Sequence, residues 1–448
     1  GGMGSHAFLG PQLPTGGGAD GGGLLAGGRG VALRKPLRES GIPTWHTAAA
    51  SAAQGTKGST KSTAMSINLA KNLVGSGILS LPAGIAAFAS SAGGVGPALA
   101  MLVAAAAISA YAFYLIGRVC ERTKTGTFGG AWKESLKVGS WVPLAICILE
   151  CLGGSTVYAM VLGDVFSAMI PVPRSTLIIG IAATVLFPLC CLRSFGALAK
   201  FSLLGNAASS YVVLFVVKRF FDGSYAPGGA FYTKAAAATL TGVVHFDSRM
   251  LILVSILSTA FLVHFNAPQM YEELEGKGAS KERSFGLVAL VGFGIAMIQY
   301  ALVMVFGFLT FGSATQGNIL LNYSQKDPLA LAASVAIGIS MLFGYPMQFA
   351  GFRSGILEAF GSGELPKVKH RLVTAGLLAS VVAVACAFRD LGKFQAIEGA
   401  ALAAFLIYIA PPMMAFKLWK GNTARAGYVS LIILGIFLAI VGCKVTMM

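Results

Sequence analysis

The chain has 448 residues, 55% of them hydrophobic and 11% charged, with a mean hydropathy of +0.75. That balance excludes an ordinary soluble domain and describes a polytopic membrane protein. The formal charge of +16 needs no nucleic-acid partner, because the basic residues are scattered through loops between apolar runs rather than gathered in one patch.

In chain order, residues 1–62 are rich in Gly, Ala and Ser and read as a disordered cytoplasmic tail. No apolar run follows its charges, so it is not expected to be a secretory signal. Residues 63–446 read as one transmembrane domain of eleven spans, at about 64–89, 96–118, 141–170, 175–192, 198–218, 248–271, 284–311, 328–352, 372–388, 394–416 and 426–446. The first span carries Asn68, Lys71 and Asn72, breaks at Gly75-Ser76-Gly77 and resumes through Pro82. Irregular backbone at membrane depth is tolerated only under cover of protein or a water-filled cavity. A discontinuous helix is therefore expected, its freed amides from Gly75 to Ile78 turned to a small polar ligand. A kinked structural helix is the plainer alternative. Lys71 lies one turn before Gly75 and is a candidate proton carrier, or it snorkels to the interface.

Residues 127–138 suggest a short interfacial helix. The third span holds Glu150 beside Gly153 and Gly154; it can carry a proton or pair with Lys71. Asp164, near the end of that span, is expected to face water. The sixth span holds Ser255, Ser258, Thr259, His264, Asn266 and Pro268, and its start lies five spans after that of the first. Paired interruptions at matching places in two five-span halves mark an inverted-repeat transporter. No glycine lies between Ser255 and Asn266, which makes this second break the weaker signal. His264 is a candidate proton carrier; the plainer reading is a hydrogen bond to a neighbouring helix. Arg353 and Glu358 suggest an inner gate or a surface pair, and Glu398 is expected to meet the outer vestibule. The sequon at Asn322 lies too close to the eighth span to favour glycosylation.

With the N-terminus placed in the cytoplasm, 22 of the 33 Lys and Arg fall on that side, nine on the other and two within spans. This follows the positive-inside rule and accounts for the basic excess. The cysteines form no metal spacing and no disulfide framework. No phosphate loop or nucleophile elbow is present, so no enzyme, cofactor or metal is expected.

Six stretches, NLVGSGILSLPAGI, FPLCCLRSFGALAKFSLLG, STAFLVHFNAPQMYEELE, FGFLTFGSATQGNILLNYS, FGYPMQFAGFRSGIL and FRDLGKFQAIEGA, resemble the amino acid/auxin permease family. The resemblance covers residues 63–446. It implies an all-α membrane protein of eleven helices in the leucine-transporter fold, a 5+5 inverted repeat plus one helix. It also implies secondary transport of amino acids by alternating access, in the plasma membrane or in a vacuolar or other endomembrane. Carried onto this chain, the family's substrate site falls at Val74, Gly75, Ser76, Gly77 and Ile78 and at Ser258, Thr259, Ala260 and Phe261. The half-helix N-terminus suits a carboxylate and unwound carbonyls suit an ammonium. Phe261 and Tyr158 are candidates to cap the side chain, though each taken singly reads as packing. A similar Lys occurs at the position of Lys71 in proton-coupled branches, and the eighth span offers sodium few oxygens beyond Ser340. The expected coupling ion is H⁺; a sodium-coupled or facilitative transporter, or a membrane sensor of amino acids, is the alternative.

Overall fold

The computed structural model describes residue 58 and residues 60–192, 202–232, 240–362 and 365–448. Nearly all of the segment read as a disordered tail lies outside the described residues, as does the junction at 193–201.

The first span is in two pieces. Helix α1 (Ser62–Leu73) stops at Val74, whose φ of −79° and ψ of 86° leave the helical well. Gly75 follows at φ −125°, ψ −143°, outside the common extended and helical wells. A 3₁₀ turn (Ser76–Leu79) leads into α2 (Leu81–Ala86). Pro82 lies in the first turn of α2, where its missing N–H costs nothing.

A short strand β1 (Ala89–Ser91) precedes α3 (Val95–Thr123). A helix is present within 127–138, as α4 (Phe128–Leu136), capped by Thr127 accepting from the Gly130 amide at 3.1 Å. Helix α5 (Trp141–Met169) is followed by α6 (Arg174–Ile181), a π turn, α7 (Phe187–Cys190) and α8 (Ser202–Phe221).

Strand β2 (Thr241–Val244) introduces the second interrupted span, α9 (Met250–Ala260) and α10 (Ala267–Glu273). Between them Phe261 (φ −90°) and Val263 (φ −147°) leave the helix, and His264–Asn266 make a 3₁₀ turn. Every such φ is negative, so this break needs no glycine. Pro268 opens α10 as Pro82 opens α2. The X-Pro step that starts each second half-helix is the common sequence cause.

Then come α11 (Gly278–Phe311), α12 (Pro328–Ala359) and α13 (Lys367–Ala387). Helix α14 (Leu391–Glu398) runs through two π turns into α15 (Ala410–Leu418), and α16 (Asn422–Phe437) continues to α17 (Cys443–Met447). Among the described residues, eight helices are long and apolar enough to cross a membrane, and Arg174–Cys190 is a shorter apolar helix. Leu214, Leu290, Ile433 and Ile440 are each more than 60% exposed. Such a surface suits hydrocarbon and would be a liability in water.

Helix α11 packs along α1, α2, α3 and α8, while α5 lies against α12. Glycines let backbones meet: a methyl on Gly292 would stand 2.7 Å from Leu69, and one on Gly307 2.7 Å from Pro82. The two interrupted spans are also tied to each other beyond both ends. Past α2, β1 pairs antiparallel with β2 ahead of α9, in register Ala89 to Val244 and Ser91 to Thr241. Ahead of α1, Thr60 donates to the Glu273 carbonyl at 3.1 Å and accepts from the Glu275 amide at 3.0 Å. These short pairings are a small departure from the all-helical expectation.

Candidate site at the two helix breaks

The breaks meet. A Cβ built on Gly77 would lie 3.0 Å from the Cα of Ala260, so the 3₁₀ turn of the first span rests on the end of α9. Tyr300 of α11 reaches both half-helix ends: its hydroxyl lies 2.6 Å from the Leu73 carbonyl and 2.7 Å from that of Ala260. One phenolic proton is shared by two carbonyls that helix termination leaves short of partners. Tyr300 is fully buried. It is not among the expected site residues, yet a phenol in the largely apolar run FGIAMIQYALVMVF is a signal, because a buried Tyr O–H finds an acceptor.

The other walls come from α8 and from the α14–α15 segment. Ser209 donates to the Val74 carbonyl at 3.4 Å. The Ser80 hydroxyl bonds the side-chain oxygen of Gln395, and the Thr259 hydroxyl donates to the Gln395 carbonyl at 2.7 Å. Ser258 donates to Val254 at 2.9 Å and meets the Tyr408 hydroxyl at 3.0 Å. Gly399 lies against the Ser255 carbonyl with no room for a Cβ, which is why the chain has a glycine there.

Of the amides expected to be free between Gly75 and Ile78, two are used within the chain. The Gly75 N–H donates to Leu73 at 2.9 Å, and that of Ile78 to Gly75 at 3.5 Å. Ser76 and Gly77 open the 3₁₀ turn, where the leading N–H groups have no acceptor within the turn. Gly75, Ser76 and Gly77 are partly accessible; Val74 and Ile78 are buried. Phe261 is fully buried, its ring 5.1 Å from that of Tyr300 and 5.9 Å from that of Phe293. Tyr158 of α5 is half-buried and lies beside Gly344 of α12; α5 also packs against the 3₁₀ turn Ser76–Leu79.

The charged candidates separate. Lys71 is half-buried in the last turn of α1, and among the described residues it forms no ion pair. The alternative in which it pairs with Glu150 is therefore corrected. Glu150 is 7% exposed on α5, its Oε2 has no partner, and its charge acts on Glu398 of α14. Glu398 is not in a vestibule: it is 5% exposed, and its Oε1 lies against Gly153. Asp164 does not face water either. It is 4% exposed and accepts from Arg174 Nε at 2.6 Å and Asn318 Nδ2 at 3.3 Å, an ion pair that closes the α5–α6 corner. His264 is fully buried and its Nε2 lies 2.9 Å from the Ser109 carbonyl, which it can reach only as an N–H donor. Phe113 and Phe293 stand edge-on to its ring. Arg353 is buried and donates to the Cys190 carbonyl at 2.6 Å and to Thr374 at 3.1 Å, binding α12 to α7 and α13. The sequon residue Asn322 holds its own loop, donating to the Ala314 carbonyl and accepting from the Gln316 amide, both at 2.8 Å.

Comparison with known proteins gives the same outline. A Danio rerio protein, named as a candidate sodium-coupled neutral amino acid transporter 11, is 25% identical over 87% of this chain and 86% of its own length. Amino acid transporter AVT6E of Arabidopsis thaliana is 26% identical over 84% and 81%. Vacuolar amino acid transporter 5 of Schizosaccharomyces pombe is 24% identical over 77% and 81%. Among solved structures, inward-facing Mhp1 aligns over 93% of this chain and 94% of that one, with a TM-score of 0.56 at 11% identity. A Na⁺-coupled sialic acid symporter aligns over 90% and 93%, with a TM-score of 0.53 at 11% identity. At that identity the likeness carries the leucine-transporter fold alone. The family described as transmembrane amino acid transporter protein matches residues 57–448. With its interrupted spans and fold in agreement, the chain belongs to that family, the amino acid/auxin permeases.

Proposed function

We propose that this chain is a secondary active transporter that carries amino acids by alternating access, without sodium and with H⁺ as the coupling ion. The observation that carries the reading is the meeting of two interrupted spans at Gly77 and Ala260, with the Ser76 and Gly77 amides open beside it. Amides at a half-helix start attract a carboxylate, and the carbonyls that end the facing half-helix accept from an ammonium. Together they suit a zwitterion near the bilayer midplane, bound between the first and sixth of eleven spans. That count takes the eight long helices with α1–α2, Arg174–Cys190 and α8, and arranges the first ten as a 5+5 inverted repeat. The tail is assigned to the cytoplasm, and the membrane to the vacuole or another endomembrane, as the name of the Schizosaccharomyces pombe relative suggests.

Lys71 supports the coupling ion: a fixed ammonium one turn before Gly75 repels Na⁺ and takes over its charge. The name of the Danio rerio relative favours the second reading, sodium coupling. Purified full-length protein in liposomes separates them, with a mixture of radiolabelled free amino acids offered under an imposed H⁺ or Na⁺ gradient. Uptake driven by H⁺ and indifferent to Na⁺ is expected. Uptake that requires Na⁺ would sink the coupling claim; binding without uptake under any gradient would make the protein a sensor.

A further inference from the structure

Away from the helix breaks, α5 and α14 press two acids together. Glu150 shares its helix face with Gly153 and Gly154, one turn on. Both glycines are filled from outside: Glu398 Oε1 lies over Gly153, and Gln348 Nε2 of α12 lies over Gly154. The two carboxyls are 7% and 5% exposed, and Glu150 Oε2 and Glu398 Oε1 are both without a hydrogen-bond partner. The groups that face them are the thiols of Cys147 and Cys151 on the same helix, with Glu358 of α12 beyond Cys147. Among the described residues no lysine or arginine neutralises them.

Two carboxylates cannot both stay ionised in such a place without a cation between them, because each charge loses its hydration and repels the other. A proton is the smallest cation that repairs this, turning one carboxylate into a neutral acid. Aspartic-protease dyads share a proton on the same grounds. We propose that Glu150 and Glu398 form a proton-binding dyad between the third and tenth spans, loaded when α14 rests on Gly153 and emptied when it moves away. The proton enters from one aqueous side and leaves to the other; no covalent bond of the substrate changes. The proposal rests on the proton-coupled reading above and names the groups that carry the proton.

Two measurements on the full chain test it separately from that reading. In liposomes, a one-unit pH gradient sustains about tenfold accumulation when one proton accompanies each neutral substrate. With the radiolabelled amino acid mixture as probe, wild type is expected to reach that level. E150Q and E398Q are expected to equilibrate without accumulating while still exchanging internal for external label. E398Q accumulating like wild type would overturn the proposal. In the pH-difference infrared spectrum, wild type is expected to show a protonated-carboxyl C=O band that the double variant E150Q/E398Q lacks. No such band, or a band removed by Na⁺ at constant pH, would overturn it. If wild type does not accumulate, the coupling reading fails and the infrared band alone decides the dyad. If E398Q fails to fold, E398D takes its place: a shifted band upholds the assignment and an unmoved band refutes it.

Discussion

Tyr300 is where one side chain holds the most architecture. Its hydroxyl lies between the end of α1 and the end of α9 and reaches a carbonyl of each, at 2.6 and 2.7 Å. Removing the hydroxyl leaves buried carbonyls without that donor, a penalty of about 1–3 kcal/mol. Tyr300→Phe is therefore expected to lower the melting temperature of the detergent-purified protein and to slow uptake, because both half-helix ends lose a shared anchor. A melt equal to wild type would mean that the bridge contributes nothing. Sequence reading pointed to Gly77, Ala260 and their neighbours by motif, but Tyr300 lies in α11, and only packing brings it to them.

At the scale of elements, the loop before α12 is fixed by a buried ion pair. Asp327 caps α12, accepting from Leu329 N at 3.0 Å, from Arg219 Nε at 2.8 Å and Nη2 at 2.5 Å, and from the Tyr225 hydroxyl at 3.0 Å. Burial opposes its charge, but the hydrogen bonds from Arg219 and Tyr225 win and hold the carboxyl below its ordinary value. A depressed folded value means that this stabilisation is present above the unfolded value of about 4 and is lost as the pH falls through the folded one. Asp327→Asn should cost about 1–3 kcal/mol at neutral pH, since Arg219 loses its buried partner and keeps only Asp222, at 2.7 Å. The gap between variant and wild type should close in melts taken from about pH 7 to about pH 3; a gap independent of pH would rule out the ion pair as its source. None of this is legible in the sequence, because Arg219 and Asp327 lie 108 residues apart and only packing brings them together.

For the whole molecule, the proposed topology makes a labelling prediction. Lys137→Cys, in the loop after α4, should react with a membrane-impermeant maleimide from the cytoplasmic side only, and Asp247→Cys, ahead of α9, from the opposite side only. Labelling of both from one side would overturn the orientation. The sequence by itself determined the membrane class, the family and both interruptions, because hydropathy, the Gly75-Ser76-Gly77 break and the X-Pro steps at Pro82 and Pro268 are local properties of the backbone. It left open which polar side chains meet, since a buried acid such as Glu150 reads the same whether its neighbour is Lys71 or Glu398. Only the tertiary structure chose Glu398, because the glycines at 153 and 154 let α14 and α12 approach that face of α5, and a contact between distant spans is set by packing rather than by chain order.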